Sequence, residues 1–137
     1  MQELRSLSTE RQCAPIDVDA LLKRCLGNAK IVSMILDRFE QHAATDYSSL
    51  ADAVRAQDLA AVGQRAHCFK GAAGMVSASA LAAVVGEVEE LANHQDPARI
   101  ADQLVLAKRE LDACLAYLPM ARGRLPSGQP TQAARAA

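Results

Sequence analysis

The chain has 137 residues, half of them hydrophobic, and fifteen Lys and Arg against sixteen Asp and Glu leave a formal charge of −1. This is enough for one soluble domain with a core, without the basic excess that drives sequence-independent binding to nucleic acid. Aromatic residues make up only 3%, tryptophan is absent and 28 residues are alanine, which disfavours aromatic stacking surfaces and β-sandwich cores and favours helices.

The first fifteen residues are polar and end at Pro15, and they read as a flexible arm. A short helix is expected from Asp17 or Val18 to about Cys25, capped by Asp17 and stopped at Gly27-Asn28. A long helix follows over about 29–56, where Val32, Leu36, Phe39, Ala43, Tyr47, Leu50 and Val54 form one stripe. Asp58 can cap the next, about 59–75, with Leu59, Val62, Ala66, Phe69, Ala73 and Val76 inward. Ser77 or Ser79 can cap a fourth helix to about Ala92. Its Leu81, Val84, Val85, Val88 and Leu91 face inward, and Glu87, Glu89 and Glu90 mostly outward. The last opens with Asp96 as cap and Pro97 at its first position, and runs to Leu118 through Ile100, Leu104, Ala107, Leu111 and Cys114. Pro119, Gly123, Pro126, Gly128 and Pro130 then mark 119–137 as a disordered tail.

Four amphipathic helices joined by short links must be antiparallel neighbours. The expected architecture is therefore all-α: an up-down-up-down four-helix bundle over 16–118 with a short additional N-terminal helix. Cys13, Cys25, Cys68 and Cys114 are 12, 43 and 46 residues apart, with no Cys-x-x-Cys pair, so no metal site or disulfide framework is expected. The N-terminus has no apolar run, and no segment reaches the ~18 apolar residues of a spanning helix. The expected address is cytoplasmic, with no membrane contact.

The informative stretch is Arg65-Ala66-His67-Cys68-Phe69-Lys70-Gly71-Ala72-Ala73-Gly74. His67 lies roughly 130° around the helix from the core stripe, so its ring should point to solvent or a groove edge. Lys70 and Gly71 are its i+3 and i+4 neighbours, and Gly63 and Gly74 fall on the same side. Each glycine costs a helix interior about 1 kcal/mol relative to alanine. Glycine here lets another macromolecule's backbone approach the ring, while the Lys70 ammonium can hold an anion. These features suggest a histidine that receives a phosphoryl group from a docked protein. Phosphoryl transfer needs alignment and charge neutralisation, and the chain carries no Gly-rich phosphate loop, magnesium-binding Asp cluster or nucleotide fingerprint. The metal and the remaining active-site acids would come from the partner.

The run Ala66-His67-x-x-Lys70-Gly71 resembles the signature of histidine-containing phosphotransfer (HPt) domains, the four-helix intermediates of multistep phosphorelays. The similarity spans about 16–118: an Ile16-Asp17 opening, Phe39, the signature, then Leu81 and Val88-Glu89 where the family often has Leu-Glu. It implies that His67 is phosphorylated, that Lys70 interacts with the phosphoryl oxygens and that Gly71 gives clearance to a receiver domain. The implied partners are response-regulator receiver domains and a hybrid histidine kinase. Magnesium is expected on the receiver only, with no cofactor on this chain, which would be a monomeric phosphoryl carrier rather than an enzyme. Two departures stand out: Met75 and Ser77 replace a small polar residue and a glycine.

Gly63, Gln64, Gly71 and Gly74, with Ile31 and Ile35, are assigned to the partner-facing surface. Ile31, Met34 and Ile35 lie off the main stripe of their helix and can be either a broad core face under the first helix or an apolar docking patch. His42 and His94 have no partners at ligand spacing and read as surface or boundary residues, and Cys68 as a packing residue. The alternative to a phosphoryl carrier is a helical binding or regulatory module that docks a receiver or kinase and in which His67 is never phosphorylated.

Overall fold

The computed structural model describes residues 14–126, and all regular structure among them is helical. Helix α1 is Val18–Arg24, α2 Ala29–Arg55, α3 Leu59–Met75, α4 Ser79–Asn93 and α5 Ile100–Gly123, with a 3-10 turn at Pro97–Arg99 leading into α5. Helices α2 to α5 close a ring of antiparallel neighbours in which α3 contacts both α2 and α4, and α5 contacts α4 and α2. This is the expected bundle. The predicted stripes meet at its centre: Val32, Leu36, Val62, Ala66, Phe69, Leu81, Val85, Val88, Ala107, Leu111 and Leu118 are all buried. Helix α1 closes one end by burying Val18 and Leu21, with Ile16 just before it.

Three helix starts follow the sequence rules. The carboxylates of Asp17 and Asp58 and the amide oxygen of Asn28 accept from the backbone N–H of Ala20, Ala61 and Ile31 at 3.0–3.1 Å. Two do not. Helix α4 is preceded by Ala78 with no side-chain cap, and neither Ser77 nor Ser79 caps it. Asp96 makes no capping bond either, because the chain enters α5 through the 3-10 turn.

The reason for Ser77 lies at the preceding helix end. The ends of α1, α2, α3 and α4 each place a non-glycine residue in the left-handed region, Leu26, Gln57, Ser77 and Gln95, at φ of 54–58°, and at α1 Gly27 follows at 77°. In each case the next residue's N–H reaches back five positions to a carbonyl, as in Asp58 to Ala53 and Ala78 to Ala73. That is the Schellman closure, whose left-handed position glycine usually fills. Ser77 is therefore spent on ending α3. Its carbonyl accepts from the Asp17 N–H at 3.0 Å, and its Oγ accepts from the Arg24 guanidinium at 2.9 Å. The same guanidinium donates to the Met75 carbonyl at 2.8 Å, fastening α1 across the α3–α4 turn.

The predicted tail begins too early. Helix α5 continues through Pro119 to Gly123. Proline removes one helical N–H, but Leu118 and Ala121 on either side are buried in the core. Arg122 also donates to Asp37 and Glu40 on α2 at 2.8 and 2.6 Å. Tertiary contact thus outweighs the local breaker. Of the predicted arm and tail, 1–13 and 127–137 lie outside the described residues.

Candidate functional site

Position 67 falls on the outer face of α3, because Ala66, Phe69 and Ala73 take the inward one. The His67 side chain is accordingly 69% exposed, as its helical position predicts. Its Nδ1 lies 2.8 Å from Glu89 Oε2 on α4, and the Lys70 ammonium lies 2.8 Å from the other oxygen, Oε1. One carboxylate therefore bridges the two groups that the sequence selected. Glu89 was expected to point outward. Its side chain is instead only 17% exposed, drawn over the α3–α4 crossing by the Lys70 ammonium and the His67 ring.

The electrostatics decide the tautomer. The hydrogen bond from Lys70, reinforced by His67, holds the Glu89 carboxyl below its ordinary range against the opposing effect of desolvation. An ionised carboxylate only accepts, so Nδ1 carries the proton and donates it to Glu89. In the neutral ring the lone pair then sits on Nε2. The sequence contains one signal for this partner, Glu89 on an expected helix, but helical periodicity alone cannot tell which outward glutamate crosses to a neighbour.

The glycines separate into two kinds. At Gly71 and Gly74 an added Cβ would meet nothing within 4 Å, so both lie on open surface beside His67. Gly63 does not. It is buried, and its Cβ would come within 3.2 Å of Asn93 Oδ1 and 3.8 Å of Ala92 Cβ. The helix crossing, rather than a partner, accounts for that glycine. Gln64 and Cys68 are exposed, and with His67 and Glu89 they line a shallow cleft along α3.

On the other flank of α3 a groove runs against α2, lined by Ile35, Phe39, Ala72, Met75 and Val76 and edged by Arg38, His42 and Asp46. Ile35 is half-buried, whereas Ile31, Met34 and Met75 are exposed. Of the two readings of this set, Ile35 answers partly to a core face, and Ile31 and Met34 to an apolar surface patch. His94 ends α4, its Nδ1 donating to the Glu90 carbonyl at 2.9 Å, which is the boundary role expected of it.

The exposed histidine, its lysine one turn on and the bridging carboxylate sit on a bundle whose relatives can be named. Residues 34–121 match the Hpt domain family model. The crystal structure of histidine-containing phosphotransfer protein B (HptB) from Pseudomonas aeruginosa PAO1 superposes with a TM-score of 0.73 at 25% identity, covering 82% of this chain and 97% of that one. No curated protein matches the chain in sequence. The family match covers well over half of the chain and includes the helix that carries His67, Lys70 and Gly71, so the chain belongs to the Hpt domain family, the histidine phosphotransfer intermediates of two-component signalling.

Proposed function

We propose that His67 is the phosphoryl acceptor and that its Nε2 attacks the phosphorus of an aspartyl phosphate on a receiver domain. The N–P bond forms as the P–O bond to the aspartate breaks, and the aspartate leaves as a carboxylate. A second receiver's aspartate reverses the step by attacking the same phosphorus. The observation that carries this reading is the bond from His67 Nδ1 to Glu89, which turns the free lone pair outward. Lys70, within reach of the same carboxylate, supplies a cation to offset the phosphoryl charge.

The open face at Gly71 and Gly74 admits the receiver's backbone to the ring. Ile31 and Ile35 on α2, with Gln64 at the cleft, form the remainder of the contact. Magnesium and the acidic residues that hold it belong to the receiver, and this chain acts as a monomeric cytoplasmic carrier between receivers, one of them on a hybrid kinase, without catalytic machinery of its own. No described helix is long and apolar enough to cross a membrane.

The test is phosphorylation by an acetyl-phosphate-charged receiver followed by ³¹P–¹H correlation on the intact product. Phosphate on Nε2 of His67 is expected. Phosphate on Nδ1, or on His42 or His94, overturns the reading.

A further inference from the structure

Helix α4 contains Gly86 in its interior, where every other small residue is alanine. Its position has a specific neighbour: a Cβ built there would lie 3.2 Å from Lys70 Cδ, and from no other atom within 4 Å. The alkyl stem of Lys70 thus passes over α4 where the side chain is missing. One turn further along the same face, at i+3, Glu89 receives the ammonium. Stem and head are held by two residues of one helix, although Lys70 remains 42% exposed.

We propose that Gly86 and Glu89 form a seat on α4 that keeps the Lys70 ammonium beside the His67 ring before phosphate arrives, which makes Gly86 a positioning residue for phosphoryl transfer. The proposal rests on the reading of His67 as acceptor and adds to it the question of what aims the lysine. Free lysine side chains sample many rotamers, so a cation merely one turn away spends most of its time elsewhere. A stem laid in a notch and a head tied to a carboxylate remove that freedom. When the phosphoryl group forms on Nε2, the ammonium has only to exchange one anionic oxygen for another nearby. A methyl at position 86 displaces the stem by a few tenths of an ångström, and a leucine fills the notch.

The experiment uses the full chain as Gly86→Ala and Gly86→Leu, each alone and with Lys70→Ala, with phosphoramidate as a small donor that needs no docking surface. Nε2 takes the phosphoryl group as the donor's P–N bond breaks and ammonia leaves. The rate and the phosphohistidine lifetime should fall from Gly to Ala to Leu, the leucine variant reaching the Lys70→Ala level, on the order of tenfold down. In the Lys70→Ala background the same substitutions should change neither. A second readout does not depend on phosphorylation: in Gly86→Leu the ¹³C-detected titration of the Glu89 carboxyl should move up to where Lys70→Ala puts it. A leucine variant whose rate and Glu89 titration match the parent overturns the seat, as does a loss that persists without Lys70. A parent that takes no label on His67 overturns the acceptor reading instead, while the Glu89 titration still decides the seat.

Discussion

Replacing Gly71 separates docking from stability, because the structure gives opposite signs to the two effects. The residue lies in the interior of α3 on its exposed face, and a Cβ there meets nothing within 4 Å. Gly71→Ala therefore gains the helix propensity difference with no steric loss, about 1 kcal/mol. For a domain of this size that raises Tm by roughly 4 °C. Gly71→Leu should be at least as stable as the parent. Transfer from a receiver should move the other way, because an isobutyl group one turn from His67 holds the partner's backbone off the ring. A misplacement of about 1 Å can cost on the order of a hundredfold in rate. Thermal melts paired with single-turnover quench measurements on the three side chains give both quantities. Gly63 is the internal control. It is buried, and its Cβ would press on Asn93 Oδ1, so Gly63→Leu should lower Tm, whereas Gly71→Leu does not. A Gly71→Leu protein that transfers as fast as the parent would refute the open face as the docking surface.

Glu89→Gln should be less stable than the parent at pH 7 by about 0.5–1 kcal/mol, the scale of a partly exposed ion pair. The Glu89 carboxyl titrates below its ordinary value in the fold, so its contribution is complete above the unfolded value and disappears as pH falls through the folded one. The gap should shrink as pH falls below the ordinary glutamate value of about 4.3, and chemical denaturation at pH 7 and in acid measures it; a gap that stays undiminished in acid would show that the charge is not its source. Lys70→Ala should slow transfer by on the order of tenfold and Lys70→Arg should retain part of it, whereas equal kinetics in all three would make Lys70 an ordinary surface residue. Gln95→Gly should raise Tm by removing a left-handed non-glycine, worth about 1 kcal/mol. Ser77→Gly should gain less, since it also loses the hydroxyl bonded to Arg24; equal gains would mean that this bond contributes nothing.

The bundle was legible because its apolar residues recur at three and four with caps at Asp17 and Asp58, and burial follows that period whatever the neighbours are; Asn28, expected only to stop the first helix, also caps the second. His67 and Lys70 could be placed on the outer face of one helix by the same arithmetic. Contacts between helices were not legible. The turn of Glu89 toward α3, the packing of Gly63 against Asn93 and the continuation of α5 past Pro119 all depend on which residue of a second helix lies opposite, and periodicity within one helix carries no such register. Ser77 was misread for a related reason. Serine is a good cap in isolation, but here the Schellman turn ending α3 claims its backbone and Arg24 claims its hydroxyl.

The phosphoryl acceptor is tested most directly by label uptake from a ³²P-charged receiver into the parent and into His67→Gln, His42→Gln and His94→Gln, each with a matched circular dichroism spectrum. The account predicts acid-labile, alkali-stable label in the parent and in the two controls, near one phosphate per chain, and none in His67→Gln, whose helical content should be unchanged because the ring is 69% exposed. Full-stoichiometry label in a folded His67→Gln protein would contradict it.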